Sequence, residues 1–481
     1  MGALTLVIFF GLIVASVRKW IPQHILPLQS VMVLGAIAFL LMALAAGHSV
    51  TRGALFSVTT LHPITATLSG FILAGVVEAA GGFAAAAQLL RRAEYSRWLG
   101  FPGAAILLIH LPNIFAMPCG RVWAAALMPL ALMLGRSISQ ATGNPTLTPA
   151  LVVGFVISAT ASCGPSPLGG IGMMGEGMAG YLPKVFANHM QWAIMFSTVA
   201  AMFVSAKIYR VSVRLPELLP VDPRPLPESA WFACFAFFAG MIGIFLFEPP
   251  IPLQASLLLL TFVIMLVGKV SVQGMVAAIA FHPVTAMVAG FMIAGTLVVS
   301  GGFDAFSEGL MAVATRLPFG YVLVGLFLVY IPLLFPVPCG RILSTSLLPG
   351  VLLFGQQVHL ATGYALAVPV LLVPFLLSCA VSCGPSPLGG IGGIGEGNLR
   401  LQPGSLSMVQ QLALIPGIAL SGVSVALFGV ASAMAGEAQS VLIMGTSIVC
   451  AMACSHLFGQ SVWHRGGILA GVLVGIGVIV L

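Results

Sequence analysis

Ser162-Cys163-Gly164-Pro165-Ser166-Pro167-Leu168-Gly169-Gly170-Ile171-Gly172 recurs letter for letter as Ser382 to Gly392, an offset of 382 − 162 = 220 residues. The same offset carries Pro118-Cys119-Gly120-Arg121 onto Pro338-Cys339-Gly340-Arg341, and His62-Pro63 onto His282-Pro283. Three matches at one spacing, with no insertion between them, mark an internal duplication. Whatever the chain does is expected where the two copies meet.

Of the 481 residues 59% are hydrophobic and 6% are charged, where a soluble domain carries about a quarter charged. Apolar runs of about 15 to 20 residues alternate with short loops rich in Pro, Gly and Arg, the pattern of a polytopic helical membrane protein. A soluble enzyme is excluded, and no catalytic triad, nucleotide loop or zinc motif is present. The net charge of +7 reads as membrane topology and not as nucleic-acid binding. The cysteines, at 119, 163, 234, 339, 379, 383, 450 and 454, fall almost entirely within apolar segments and do not form a secreted disulfide framework. Leu4 to Val17 has the length of a signal-peptide core, but its basic residues, Arg18 and Lys19, follow it, so it reads as a retained span.

In the first copy the spans read as residues 3–18, 28–47 and about 56–81, followed by an amphipathic arm at 83–99 that carries Arg91, Arg92 and Arg97 and lies in the interface. Next come two apolar halves, 104–117 and 122–135, around Pro118-Cys119-Gly120. Each half reaches roughly 21 Å at 1.5 Å per residue, short of a core about 30 Å thick, which predicts a re-entrant hairpin. Residues 148–162 and 165–181 read as one broken helix, and 190–208 closes the copy. Five crossings per copy is an odd number, so the second copy is inverted relative to the first. In that topology thirteen of the eighteen Lys and Arg share one side, Arg52, Lys184 and Arg316 lie opposite, and the two hairpin arginines are left over. The positive-inside rule makes the basic side cytoplasmic and puts the N-terminus outside an inner (plasma) membrane. The fold expected is an all-α polytopic protein: a first repeat at 1–209, a proline-rich cytoplasmic linker at 210–229, a second inverted repeat at 230–431, and two additional helices in 432–481.

Arg121 and Arg341 carry the chemistry. Each follows a hairpin tip at the start of a helix, where unpaired N–H groups and the positive dipole end favour an anion. A guanidinium fork adds a bidentate grip on an oxyanion. Inversion brings the tips together into one anion site near the midplane, lined by Cys119, Gly120, Cys339, Gly340, Ser162, Cys163, Gly164, Ser166, Ser382, Cys383, Gly384 and Ser386. The other role open to each arginine is to bond carbonyls of the neighbouring broken helix and pin the fold. Pro165 and Pro167 break the helix, and its unwound carbonyls suit sodium, with Ser162, Gly164, Ser382 and Gly384 as cation candidates. Glu176 and Glu396, within Gly-Glu-Gly, are either cation ligands or capped carboxylates. Four converging thiols, Cys119, Cys163, Cys339 and Cys383, would suit a soft metal or arsenite, although the motifs supply no acidic or histidine ligand and cysteine is a common small buried residue. No metal or organic cofactor is expected. Glu78 faces Val298 and Asn113 faces Leu333 across the repeat, so whatever these two do, one copy alone does it.

The order of parts resembles the ion transporter superfamily of divalent-anion/sodium symporters, citrate carriers, arsenite permeases and sodium/proton antiporters: a span with an interfacial arm, a hairpin over Leu108 to Leu134, then a Gly, Ser and Pro-rich broken helix, all repeated inverted. The resemblance covers residues 1 to about 431. Pro-Cys-Gly-Arg stands at both tips where the symporters carry a Ser-Asn-Thr signature. The resemblance implies an elevator transporter, its hairpins and broken helices moving on arms at 83–99 and 303–318 against a homodimeric scaffold. The expected function is secondary active transport of a small carboxylate or inorganic oxyanion coupled to sodium or protons. A sodium/proton antiporter, an arsenite-type permease, or the membrane subunit of a multi-component uptake system are the rival readings.

Overall fold

The computed structural model describes residues 1–22, 26–59, 61–94, 96–182, 184–208, 225–247, 249–279, 281–386, 390–399, 401, 404–430 and 433–480, without the side chains at 61–63, 278 and 433–437. Residues 210–224 of the expected linker, with Arg210, Arg214 and Arg224, lie outside this set, as do Arg400, Pro387 and the side chains of His62 and Glu437.

All described regular structure is helical, in twenty-two α-helices. Residues 1–209 supply α1 (Gly2–Val17), α2 (Leu28–Ala45), α3 (Arg52–Phe56), α4 (Leu61–Ala79), α5 (Gly82–Glu94), α6 (Gly100–Ile114), α7 (Gly120–Thr142), α8 (Leu147–Ala161), α9 (Ile171–Ala179) and α10 (Ala187–Ile208). Ten more follow in the same order: α11 (Glu228–Phe247), α12 (Leu253–Val267), α13 (Val272–Ala278), α14 (His282–Val299), α15 (Gly302–Ala314), α16 (Gly320–Leu334), α17 (Gly340–Thr362), α18 (Ala367–Ser382), α19 (Ile391–Leu399) and α20 (Ser405–Phe428). Then come α21 (Ala433–Leu457) and α22 (Arg465–Val480). Seven helices are long and apolar enough to cross a membrane: α2, α7, α10, α11, α14, α20 and the Ala438–Leu457 part of α21. That composition and length make the chain a multi-pass membrane protein by character.

Several boundaries differ from the sequence reading. The second half of the first hairpin does not stop at residue 135: α7 runs twenty-three residues to Thr142, roughly 34 Å, enough to traverse a hydrocarbon core. Arg136 ends the apolar run but not the helix, because the polar last turns find bonds. Ser139 and Thr148 share a hydroxyl bond of 2.8 Å, and Thr142 Oγ1 donates to Ile138 O at 2.7 Å. Gly143, at φ 67°, then stops the helix in a conformation other residues resist. The arm is shorter than expected, ending at Glu94, and stands 68° from α4. Gly81, at φ 81°, makes that corner. Of the expected 165–181 half of the broken helix only Ile171–Ala179 is helical, since Pro165 and Pro167 extend the break to residue 170.

Helices before each arm pack on the other half of the chain. α1 lies on α15 and α11 on α5; α2 lies on α14 and α12 on α4; α3 lies on α14 and α13 on α4. Further along, α9 meets α18 and α19 meets α8, while α10 and α20 face each other. Every one of these contacts is its partner contact with the halves exchanged. α21 and α22 break the pattern, packing on α10 and α6 of the first half.

Candidate functional site

Both hairpin tips are pressed against a broken helix. A Cβ on Gly120 would stand 1.7 Å from Ala159 O, and one on Gly340 would stand 1.7 Å from Cys379 O, the same position one repeat later. Only glycine permits this approach. Ser166 Oγ donates to Ala116 O at 2.8 Å, tying the first break to the end of α6, and Thr67 Oγ1 on α4 donates to Gly169 O at 2.8 Å.

The two breaks fold alike. Ile171 N donates to Cys163 O at 2.8 Å and Gly172 N to Gly164 O at 2.9 Å; Ile391 N donates to Cys383 O at 3.1 Å and Gly392 N to Gly384 O at 3.0 Å. The first N–H groups of α9 and α19 are therefore used inside the break. The carbonyls keep one lone pair each. Ser162 Oγ donates to Ala159 O and Ser382 Oγ to Cys379 O, both at 2.8 Å, so these protons too serve the helix that carries them. Ser386 is buried, and its carbonyl accepts from Gly390 N at 3.1 Å.

The arginines are not mirror images in their surroundings. Arg341 is 1% exposed. Its Nη2 donates to Pro118 O of the opposite tip at 2.8 Å, and Nη1 reaches Thr67 Oγ1 at 3.3 Å and Met287 Sδ at 3.7 Å. Thr67 and Met287 are the same position in the two copies, so this guanidinium sits between the halves. Arg121 is only partly buried, it has partners of its own, and its charge bears on His282, whose ring contacts Gln29. The single open pocket shared by two guanidinium groups is thus replaced by one sealed and one accessible arginine. Arg341 fills the space between Thr67 and Met287.

Thiols gather here as well. Cys163 Sγ and Cys383 Sγ both donate to Ala380 O, at 3.6 and 3.4 Å, and the two side chains interact with each other. Cys119 and Cys339 lie within electrostatic range of that pair. Among the described residues no group of three or more His, Cys, Asp or Glu is arranged to hold a metal ion.

Glu176 and Glu396 are committed carboxylates. Glu176 accepts from Lys184 N at 3.1 Å and Phe186 N at 2.7 Å; Glu396 accepts from Gly404 N and Leu406 N, both at 2.9 Å. Each saturates the approach to the next long helix, α10 or α20, where negative charge is favoured. These contacts are those of the capped carboxylate, one of the two roles open to each glutamate from the sequence.

Four contributors carry no signal in the sequence reading: Thr67, Met287, Gln191 and Gln410. Thr67 and Met287 grip Arg341 from ordinary apolar helices and carry no motif. Asn113 was noticed, but its partner was not: Asn113 Nδ2 donates to Gln191 O and Gln191 Nε2 to Asn113 O, both at 3.3 Å, stapling α6 to α10. In the second half Gln411 Nε2 keeps one such bond, to Leu333 O at 3.4 Å. Gln410 lies buried beside the second break where the first copy has Met190, a departure that aligning the two halves would have exposed. No known protein family and no curated protein matches this chain.

Proposed function

We propose that the chain is a secondary active transporter of a small anion, built as two inverted-topology repeats with hairpin and broken-helix elements in the manner of the ion transporter superfamily. Two things support the architecture: the duplicated motifs and the reciprocal packing of the helices before each arm.

One observation carries the substrate class. Arg341 is almost fully buried, and its described partners are a carbonyl, a hydroxyl and a thioether, all neutral. A guanidinium held away from water without a counter-charge is costly, and a carboxylate or inorganic oxyanion entering beside it would offset that cost. A residue that only pinned the fold would gain more from a carboxylate partner. Arg121, the more exposed of the pair, would meet the anion first, and the sealed contact of Arg341 with Pro118 would open as the anion arrives. The elevator motion of hairpins and broken helices, coupling to sodium or protons, and a homodimeric scaffold complete the proposal.

Uptake by the purified chain in proteoliposomes tests it. Arg121→Gln and Arg341→Gln should each abolish uptake of the transported anion while leaving the fold intact. Normal uptake by both variants removes the anion role, and a requirement for a second protein favours the multi-component reading. The Cys163–Cys383 contact favours one rival, transport of a soft oxyanion such as arsenite; uptake blocked by thiol alkylation and retained in Arg341→Gln would choose it.

A further inference from the structure

Gln410 is 1% exposed on α20, and neither its amide oxygen nor its amide nitrogen has a hydrogen-bond partner among the described residues. An unmatched buried amide is costly and calls for an explanation. The same position in the first half is Met190, a side chain of similar length with a thioether in place of the amide.

The amide points into the second break. A Cβ on Gly384 would stand 2.9 Å from Gln410 Oε1 and 3.3 Å from Thr160 Oγ1; a Cβ on Gly392 would stand 2.7 Å from Gly384 O and 3.1 Å from Gln410 Oε1. At the first break the corresponding points, on Gly164 and Gly172, lie 3.4 and 3.5 Å from the Met190 sulfur. One break therefore presents an oxygen where the other presents sulfur, although the eleven residues of the motif are identical.

The lone pairs decide what fits. Thr160 Oγ1 donates its proton to Val156 O at 2.6 Å and has only acceptor capacity left. Among the described residues Gly384 O accepts one bond, from Gly392 N, which leaves capacity for a second. Thr160 lies in the last turn of α8 and Gly384 just beyond the last residue of α18, so the negative ends of two helices face this place. Acceptor oxygens at two helix C-termini suit a hard cation and not an anion.

We infer that the second break, and not the first, binds a monovalent hard cation of the sodium class, with Gln410 Oε1, Thr160 Oγ1 and Gly384 O as ligands. Glycine at 384 and 392 leaves room that any side chain would fill. The two copies differ in cation binding through two residues outside the duplicated motif, Gln410 for Met190 and Thr160 for Ala380, giving one such cation per chain. This site deepens the transport reading by naming its coupling ion, yet it is tested with no anion substrate present.

The experiment follows tryptophan fluorescence during melting of the purified full chain in sodium chloride and in choline chloride at equal ionic strength. A ligand that binds the folded state raises the melting temperature with the logarithm of its concentration. Wild type should melt higher in sodium, Gln410→Met should lose that increment while folding normally in choline, and Met190→Gln combined with Ala380→Thr should add a second increment. Should Gln410→Met fail to fold, Gln410→Glu serves instead and should enlarge the sodium increment. A full sodium increment in Gln410→Met overturns the assignment. So does a wild type that melts alike in both salts, which would leave the amide to an ordered water. Either failure leaves the anion reading standing, because protection by anions is read separately in sodium-free buffer.

Discussion

Replacing Gly120 by alanine, and separately Gly340, tests the contact that sets the geometry of the site. The new Cβ would stand 1.7 Å from a backbone carbonyl oxygen, Ala159 O or Cys379 O. A tolerable carbon–oxygen contact is about 3.3 Å, so tip and broken helix must part by roughly 1.5 Å. Adding a methylene to a packed interior costs about 1–3 kcal/mol. Here both colliding groups are held by backbone and neither can rotate aside, which puts each variant near the top of that range, about 3 kcal/mol. An unfolding entropy of about 2.1 cal/mol/K per residue comes to roughly 1 kcal/mol/K for a chain of 481 residues, so the melting temperature should fall by about 3 °C. Gly11→Ala is the control, since nothing lies within 4 Å of its Cβ, and helix propensity favours alanine there by about 1 kcal/mol. Thermal melting in detergent, read by intrinsic fluorescence, makes the comparison. If Gly120→Ala and Gly340→Ala melt like Gly11→Ala, the tips do not touch the breaks as described.

Other outcomes follow from the same contacts. Glu176→Gln and Glu396→Gln keep side-chain shape but offer one acceptor oxygen in place of two. Each should cost about 1–3 kcal/mol, with faster amide hydrogen exchange at Lys184 and Phe186 or at Gly404 and Leu406; unchanged exchange would mean the carboxylates do not cap these segments. Asn113→Leu copies the second half at Leu333 and removes one bond of the α6–α10 staple, a loss of about 1 kcal/mol in denaturant melts; Gln191→Leu should add less once Asn113 is gone than it costs alone, and strict additivity would contradict the pairing. Diamide should oxidise the Cys163–Cys383 pair to a disulfide seen by peptide mass spectrometry, and Cys163→Ser or Cys383→Ser should abolish the linked peptide. Its absence in wild type would place the thiols apart.

The duplication made much of this legible. Identical motifs at one offset marked the hairpin tips and both breaks, and the structure brings Cys119, Gly120, Cys163, Arg341 and Cys383 into one neighbourhood. Boundaries are less readable because apolarity and helicity do not coincide: α7 continues past Arg136 on hydroxyl bonds that a hydropathy run does not register, and 165–170 is unwound by its prolines and glycines. The fate of each side chain was hidden for another reason. Arg121 and Arg341 share a motif but not a neighbourhood: Arg341 bonds Thr67 and Met287, which correspond across the two halves, while the charge of Arg121 bears on His282. Glu176 looked equally like a ligand and a cap, and the choice lay with backbone N–H groups eight and ten residues later.

The central claim is that a buried, uncompensated guanidinium at residue 341 awaits an anion, and melting of the purified chain across a panel of small carboxylates and inorganic oxyanions in sodium-free buffer tests it most directly. At least one anion should raise the melting temperature of wild type in proportion to the logarithm of its concentration, and Arg341→Gln should erase that rise. A panel without effect on wild type, or one whose effect survives intact in Arg341→Gln, would contradict the account.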